Sequence, residues 1–364
     1  MTDSAAMTAE GDVLFEVRGR LAHITLNRPR AINALTHDMV AAIGENLRAW
    51  ALDDSITTVL LTGNGARGLC AGGDVTQLHG RVAADDVASA VAFLRDEYLV
   101  NGLIARYPKP VVAIMNGFVL GGGIGLSGHA SHRVVTDDSA LGMPEVSIGL
   151  TPDVGGSWLL SRARRELGTY LALTARTASA ADAIEVGLAD TFVPTDRLPA
   201  LVASLEELTA DEAVAAVSAE PPRGAGASGR LTADASWVEP AFAHDTVAEI
   251  LDALAASDVS SAAETADLIR TKSPTAVAVT LESLRRAREL PSLEACFNQE
   301  LRIMAHALAH PDFREGVRAQ VIDKDRTPRW EPATLEEVSP STVASFFEAT
   351  DGARDPFPQA AAPR

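Results

Sequence analysis

Two glycine-rich segments each follow an apolar run that is typical of a buried strand. The first is Cys70-Ala71-Gly72-Gly73-Asp74 and the second covers residues 121–125. Glycine has no side chain, so its backbone N–H can approach a ligand closely and turn towards it. Two such groups directed at one carbonyl oxygen would form an oxyanion hole, where each donor contributes roughly 3 to 4 kcal/mol to transition-state stabilisation. Either segment alone is better explained as a tight turn, but together they indicate a ligand site.

Glu145 and Asp153 lie in a segment, residues 143–156, that prolines and glycines break into loop structure. A loop can bring two carboxyl groups into one pocket, where they divide the roles of acid, base and nucleophile if their pKa values are driven apart. Two solvated loop acids are the usual explanation of such a pair. Their position just after the glycine-rich segments favours the functional interpretation.

The elements that would position these residues alternate between strand and helix. Apolar residues at every second position predict an N-terminal hairpin and short buried strands, and apolar residues at helical spacing predict the intervening helices. From Ser157 onward helical patterns dominate, apart from a Pro/Gly-rich linker at 220–230. The predicted strands are 13–17, 21–26, 58–61, 111–115 and 132–136, and helices begin near residues 36, 85 and 157.

The same patterns suggest a division of the chain, which belongs to the α/β class. Residues 1–11 are expected to be a flexible N-terminus and 12–200 the core. Residues 201–340 form a C-terminal helical region with a variable segment near 205–270, and the Pro- and Ala-rich end, 341–364, has little to bury and is expected to be disordered.

Composition excludes several classes of function. The net charge of -18 and pI of about 4.8 disfavour nucleic acid and anionic membrane surfaces. A small phosphorylated ligand remains compatible, because loop amides and local arginines can hold phosphate. Two distant cysteines do not form a disulfide framework, no run is suited to a transmembrane helix, and the polar, acidic start lacks a secretion or transit signal. These features predict a cytoplasmic protein.

Several weaker patterns carry little weight. Residues 123–128 fit G-x-G-x-x-G after a strand, but a dinucleotide site would need a well-placed acid after a second strand. His306 and His310 have metal-ligand spacing, as do His129 and His132, yet surface or packing roles are the better explanation, and no metal site is predicted. Cys70 has no nearby histidine partner in the sequence, so an inert buried thiol is expected.

Four ordered motifs resemble the signatures of the crotonase superfamily, and three further stretches resemble its 3-hydroxyisobutyryl-CoA hydrolases. The superfamily motifs are Asn27-Arg28-Pro29 with Asn33-Ala34-Leu35, residues 70–74, Asn116-Gly117 with Gly121-Gly122-Gly123, and Met143-Pro144-Glu145. The hydrolase-like stretches are Arg95-Asp96-Glu97-Tyr98, residues 152–156, and residues 313–319 with 322–325. The likeness spans about residues 12–338 and is weakest between 205 and 270.

The resemblance implies a spiral of ββα units followed by C-terminal helices. It implies that the amides of Gly73 and Gly122 form the oxyanion hole, that Glu145 and Asp153 are the catalytic carboxylates, and that Glu97 contacts the substrate together with Gly122, Glu145 and Asp153. It further implies no metal or separate cofactor, since coenzyme A is part of the substrate and product. Such proteins use C-terminal helices to join subunits, so a homotrimer or larger homo-oligomer is one expectation.

Coenzyme A would contact the loops around the first glycine-rich segment. Arg28, Arg30 and Arg67 are candidates for its phosphates, although solvated arginines are at least as good an explanation. The remaining candidates for coenzyme A binding are Ala31, Ala71, Gly72, Gly73 and Asp74.

One position separates hydrolysis from hydration. Enoyl-CoA hydratases resemble this chain elsewhere but carry a glutamate where it has Gly125, and they use two glutamates on one water. The missing acid favours hydrolysis of a short 3-hydroxyacyl-CoA, for which the family implies a place in valine breakdown. Hydration or isomerisation on the same scaffold, and a non-catalytic acyl-CoA-binding subunit, remain the alternatives.

Overall fold

The apolar strands of the N-terminal half build two sheets in the computed structural model, which describes residues 11–222, 230–350 and 353–358. In these residues the strands are β1 (Val13–Arg18), β2 (Leu21–Leu26), β3 (Thr58–Gly63), β4 (Val111–Met115), β5 (Phe118–Leu120), β6 (His132–Val135), β7 (Ala140–Gly142), β8 (Thr177–Ala178) and β9 (Thr191–Phe192). The six-stranded sheet has the order β1-β2-β3-β4-β6-β9 and the three-stranded sheet the order β5-β7-β8.

The larger sheet is parallel except at its first pair. β1 and β2 form the predicted antiparallel hairpin, with Val13 opposite Leu26, and β2, β3, β4, β6 and β9 run parallel. Parallel neighbours require crossover connections, which the helices between the strands supply. The predicted hairpin and the predicted strands near 58–61, 111–115 and 132–136 are thus confirmed, as is the α/β class.

The central strand β4 separates two apolar layers. Side chains of a strand alternate between the faces of the sheet. Val111, Ala113 and Met115 pack into the large core, whereas Val112 and Ile114 pack into a smaller cluster on the other face. The smaller cluster is covered by residues 198–217, so the sheet is buried on both faces, as parallel sheets usually are.

Helices surround the sheets and extend the chain beyond them. In the described residues these are α1 (His37–Ala51), α2 (Val75–Ala83), α3 (Val87–Ala105), α4 (Gly122–Ser127), α5 (Gly156–Ser161), α6 (Leu167–Thr174), α7 (Ala180–Glu185), α8 (Leu198–Ser204), α9 (Ala210–Val217), α10 (Arg230–Phe242), α11 (Val247–Ala255), α12 (Ser260–Arg270), α13 (Pro274–Glu289), α14 (Leu293–Ala309), α15 (Pro311–Val317) and α16 (Pro340–Ser345). α3 packs against α1 and α14, and α13 packs against α5. Within the described segments, no helix is both long and apolar enough to cross a membrane.

The C-terminal end differs from its prediction as a disordered tail. Residues 340–345 form α16, Phe346 is buried, and the backbone N–H and C=O of Phe357 bond to the Asn298 side chain at 3.1 and 2.9 Å. The prediction was wrong here because two buried phenylalanines anchor a segment that is otherwise poor in apolar residues. Residues 359–364, most of the expected N-terminal flexible segment 1–11 and most of the linker lie outside the described residues.

Candidate active site

The two glycine-rich segments lie against each other, although the strands before them belong to different sheets. Residues 70–74 come after β3, and Gly121 joins β5 to α4. The Leu120 N–H donates to the Cys70 carbonyl oxygen at 2.9 Å, and a backbone bridge pairs Cys70 with Val119. The two turns that the sequence suggested as one site are therefore adjacent.

Two backbone N–H groups at this contact are unused. Gly122 is the first residue of α4, and the first N–H groups of a helix have no acceptor inside it. Within the described chain, neither the Gly122 nor the Gly73 N–H donates to a protein acceptor. A Cβ added to Gly122 would lie 3.2 Å from the Gly73 nitrogen, so the two donors are close together.

Two acidic side chains flank the second turn and explain why it consists of glycine. A Cβ on Gly121 would lie 2.7 Å from Glu145 Oε1, and a Cβ on Gly122 would collide with Glu97 Oε1. Gly121 also has φ 49° and ψ -119°, a conformation that residues with a side chain rarely adopt. The absence of side chains therefore lets both carboxyl groups reach the unused amides.

Each acid comes from a different element. Glu97 lies on the buried face of α3, and Glu145 begins the short 3₁₀ helix Glu145–Ile148 directly after Pro144. Asp153 precedes α5, and the Tyr98 hydroxyl donates to its Oδ2 at 2.6 Å. All three carboxyl groups are buried, although only the last has a side-chain donor among the described residues.

Burial raises the pKa of all three carboxyl groups above the ordinary range. For Asp153 it raises the pKa to about 7, although the hydrogen bond from Tyr98 opposes the rise. For Glu97 and Glu145, burial and then repulsion by Asp153 raise the pKa well above 4.5. Buried acids with displaced pKa values in a cleft are typical of catalytic sites. Glu97 Oε1 and Glu145 Oε2 also have no hydrogen-bond partner in the described chain, as groups awaiting a ligand would.

One cavity of about 310 Å³ contains these groups. Gly73 and Gly122 contribute to its wall beside Glu97, Glu145 and Asp153. Apolar side chains such as Leu78 and Phe93 line the rest, which suits a small acyl group and a narrow thioester chain. A wider cavity of about 520 Å³ lies between the larger sheet and α8, but its lining contains one carboxylate, Glu206. Paired acids and unused amides thus meet in the smaller cavity.

The candidates for coenzyme A binding separate into two groups. Ala71, Gly72 and Gly73 line the cavity, next to the unused amides. Arg28 instead donates to Asp74 Oδ2 at 3.1 Å, and Asp74 caps α2, so this pair ties two loops together.

Only one of the three candidate arginines keeps its charge available. Arg67 donates to the backbone oxygens of Pro29 and Arg30. Arg30 and Ala31 are exposed on the 3₁₀ helix Pro29–Ala31, and the Arg30 guanidinium contacts no acceptor in the described chain. Arg30 is therefore the best placed of the three to meet a phosphate.

The cysteines and paired histidines have structural surroundings. Burial raises the pKa of the Cys70 thiol to about 12, which agrees with an inert side chain. His129 bonds to the Val154 carbonyl oxygen at 2.8 Å, and burial lowers its pKa to about 4. His306 bonds to the Glu348 backbone, and His310 caps α15. No cluster of metal-ligating side chains occurs in the described residues.

Several residues that surround the site have roles that were not predicted from the sequence. Tyr98 holds Asp153, and Glu300 accepts hydrogen bonds from the turn that follows it. Met304, Gln320 and Val321 close the cavity from the C-terminal region. The sequence did contain a signal for Glu300. It lies three residues after Phe297 and four before Met304, so helical spacing places this acid on the apolar face of α14, where a charged residue is unusual.

Comparison with known proteins supports the resemblance noted from the motifs. The sequence profile of the enoyl-CoA hydratase/isomerase family matches residues 21–347. Mitochondrial 3-hydroxyisobutyryl-CoA hydrolase of Rattus norvegicus is 36% identical, with 96% of this chain and 91% of the relative covered. The Homo sapiens enzyme of the same name is 35% identical, with 93% and 89% covered. Because those relatives are named mitochondrial, the cytoplasmic location predicted here stays a prediction.

Two solved structures share the fold over nearly their whole length. One is described as a carnitinyl-CoA dehydratase from Mycobacterium thermoresistibile, with 48% identity, a TM-score of 0.89 and coverage of 94% and 98%. The other is described as an enoyl-CoA hydratase from Rhodobacter sphaeroides, with 43% identity, a TM-score of 0.85 and coverage of 93% and 97%. The relatives found by sequence are named hydrolases, whereas the two solved structures are described as a dehydratase and a hydratase. The side chains of the cavity must therefore distinguish between these reactions.

Proposed function

Since the chain belongs to the enoyl-CoA hydratase/isomerase family, we propose that it hydrolyses a short 3-hydroxyacyl-CoA thioester, such as 3-hydroxyisobutyryl-CoA, to the free hydroxy acid and coenzyme A. The observation that carries the proposal is the meeting of Glu97, Glu145 and Asp153 with two unused amides in one small cavity.

The unused amides suit the oxygen on which negative charge develops. In thioester hydrolysis the carbonyl carbon becomes tetrahedral and its oxygen becomes an oxyanion. The N–H groups of Gly73 and Gly122 donate to this oxygen, and each donor contributes roughly 3 to 4 kcal/mol when it is aimed at the transition state. Because they belong to backbone turns, these donors are already in position before the substrate binds.

Glu145 supplies the reactive carboxylate in one of two routes. In the first, its oxygen attacks the carbonyl carbon, the C–S bond breaks, the thiolate takes a proton, and water hydrolyses the mixed anhydride. In the second, Glu145 takes a proton from the water that attacks the thioester. A single turnover in ¹⁸O-labelled water separates the routes, since only attack by Glu145 leaves label in the protein.

Asp153 and Glu97 complete the site in different ways. Asp153 is buried between Tyr98 and Glu145, so it orients water or the substrate hydroxyl and repels negative charge on Glu145. That repulsion keeps the Glu145 carboxylate basic. Glu97 has an unpaired oxygen in the cavity wall and accepts the hydrogen bond of the 3-hydroxyl group. A site built to pair a hydroxyl group discriminates against esters that lack it.

Replacing Glu97 with methionine will reduce the preference for hydroxyacyl esters. Methionine has a similar volume but cannot pair with the hydroxyl, so kcat/KM for 3-hydroxyisobutyryl-CoA should fall about 10- to 100-fold relative to that for isobutyryl-CoA. Thiol release from both esters gives the ratio. Leu94→Met, on the same helix and in the same cavity, is the matched control and should leave the ratio unchanged. Equal losses for both esters would remove Glu97 from hydroxyl recognition.

Hydration of an enoyl-CoA is a second candidate, because the two solved relatives described above are named for hydratase or dehydratase activity. The second glutamate of such enzymes would have to occupy position 125. A Cβ there would lie 2.7 Å from Val154 Cβ and 2.9 Å from Asn101 Oδ1. Buried side chains already fill that volume, so this cavity has no place for the second acid, which favours hydrolysis.

A panel of esters distinguishes the candidates. Thiol release should be at least about 10-fold faster, by kcat/KM, for 3-hydroxyisobutyryl- and 3-hydroxypropionyl-CoA than for acetyl-CoA, because only the first two fill the hydroxyl site. Crotonyl-CoA should keep its enoyl absorbance. Loss of that absorbance without thiol release would replace hydrolysis by hydration. Tight binding of every ester without turnover would indicate a non-catalytic acyl-CoA-binding subunit.

The proposed reaction uses water and the chain's own side chains, with coenzyme A present only as part of the substrate and product. It therefore proceeds without a metal or another cofactor, and activity should survive dialysis against EDTA. A cytoplasmic location and assembly into a homotrimer or larger homo-oligomer complete the proposal; subcellular fractionation and light scattering test them.

A further inference from the structure

The turn that carries Asp153 into the cavity has an unfavourable backbone conformation. Val154 has φ 53° and Gly155 has φ 79°, so two successive residues lie in the left-handed region. A β-branched residue rarely adopts this region, because its side chain crowds the backbone. Such conformations persist when surrounding groups hold them, and they concentrate at functional sites.

Glu300 holds this turn without lining the cavity. Its Oε2 accepts the Gly155 N–H at 2.7 Å, and its Oε1 accepts the Ser157 N–H at 2.9 Å. Glu300 is fully buried on α14 and does not contribute to the cavity wall. The Val154 carbonyl oxygen is bonded to His129, so the turn is fixed at Val154, Gly155 and Ser157.

We propose that Glu300 is a positioning residue of the hydrolase site: by binding the amides of Gly155 and Ser157, it maintains the left-handed turn and fixes the Asp153 carboxyl group beside Glu145. The inference rests on the proposed hydrolysis. Glu300 does not reach the substrate; it acts through the backbone of the turn and through its charge.

The charge of Glu300 acts on the same acids. Glu300 interacts electrostatically with Tyr98 on α3, with Glu145 and Asp153, and with Cys296 on its own helix. The His129 ring lies beside the same turn. Burial and Asp153 raise the pKa of Glu300 to about 8, against the two amides that lower it. Ionised Glu300 in turn raises the pKa of Glu145. His129 is neutral, since burial lowers its pKa to about 4.

One substitution should move the pH profile of kcat. Because Glu145 reacts as its carboxylate, kcat should rise with pH as Glu145 ionises. Glu300→Gln removes a negative charge that raises the pKa of Glu145, so this rise should shift to lower pH, by roughly 0.5 unit or more. In Glu300→Gln, kcat should also fall about 10- to 100-fold with little change in KM, because a small displacement of a catalytic group has this effect.

Hydrogen exchange tests the positioning without relying on the reaction. Glutamine cannot accept from both amides, so exchange in a peptide covering residues 150–160 of Glu300→Gln should be at least about 10-fold faster than in the wild type. Asp182→Asn is the matched control, since Asp182 is also buried and accepts a backbone N–H, that of Leu231, outside the cavity. It should change neither the pH profile nor exchange in residues 150–160.

These experiments distinguish failure of the proposed hydrolysis from failure of the proposed role of Glu300. Wild-type protein that releases no thiol from any ester overturns the proposed function, while hydrogen exchange still reports on the turn. An active wild type together with an unshifted pH profile and normal exchange in Glu300→Gln overturns the role of Glu300. If Glu300→Gln does not fold, Glu300→Asp replaces it, because aspartate keeps the charge but withdraws it from the amides. Faster exchange and a lower kcat in Glu300→Asp support the proposal, and wild-type values overturn it.

Discussion

Glu145→Gln will reduce thiol release from 3-hydroxyisobutyryl-CoA by roughly 10³-fold or more in kcat, because the amide can neither attack the thioester nor take a proton from water. Glutamine has nearly the same size, so the cavity keeps its shape and binding of the ester should change less than about threefold. Single-turnover thiol release measures the chemical step, and calorimetric titration with a non-hydrolysable thioether analogue measures binding. Turnover within about 10-fold of the wild type would remove Glu145 from the reaction.

Thermal unfolding of Glu145→Gln tests whether its loss of activity arises from misfolding. Burial raises the pKa of Glu145 in the folded protein above the value of the unfolded chain. Its contribution to stability is therefore fully present below the unfolded pKa and is lost as the pH rises through the folded pKa. Glutamine does not ionise, so Glu145→Gln should melt about 2 °C or more above the wild type at alkaline pH. An inactive variant that is also less stable at pH 9 would contradict this explanation.

Much of the fold could be predicted because its signals are local. Alternation in 21–26 and the short apolar run 111–115 predicted β2 and β4 correctly. The short strands β5 and β7 were missed, since three residues each are too few to show a period.

The C-terminal segment shows why composition can mislead. Residues 353–358 look solvated by composition, yet Phe357 stacks on Phe297 with 5.5 Å between ring centroids, and Arg302 pairs with Asp355. These contacts join residues more than 50 positions apart, which no local pattern contains.

The candidate site was accessible from the sequence for a different reason. Glycine at 121 and 122 and the acids at 145 and 153 carry chemistry that residue types alone indicate, whereas the acid at 97 was assigned only through the resemblance of its motif. The roles of Tyr98 and Glu300 could not be predicted, because residues of these types are common in cores and helices. Tyr98 reads as a core aromatic residue and Glu300 as one acid in a helix, and only the hydrogen bonds to Asp153 and to the next turn reveal their roles.

Gly122→Ala should reduce kcat/KM roughly 100-fold or more, although it removes no functional side chain. The added Cβ would collide with Glu97 Oε1 and lie 3.2 Å from the Gly73 nitrogen, so both the hydroxyl-binding acid and the spacing of the two amides must change. Loss of one oxyanion donor alone typically reduces kcat by 10² or more. Steady-state thiol release with 3-hydroxyisobutyryl-CoA provides the measurement.

Gly80→Ala is the matched control for this effect, because a Cβ on that exposed glycine of α2 meets nothing within 4 Å. Alanine favours helix over glycine by up to about 1 kcal/mol, so this variant should keep full activity with equal or higher stability. If Gly122→Ala retains wild-type activity, the unused amides cannot act together on one oxygen, because their separation would tolerate a methyl group between them. If it loses activity with an unchanged melting temperature, the loss lies in the geometry of the two donors and Glu97, and the backbone of two glycine turns is then as necessary to hydrolysis as the carboxylate of Glu145.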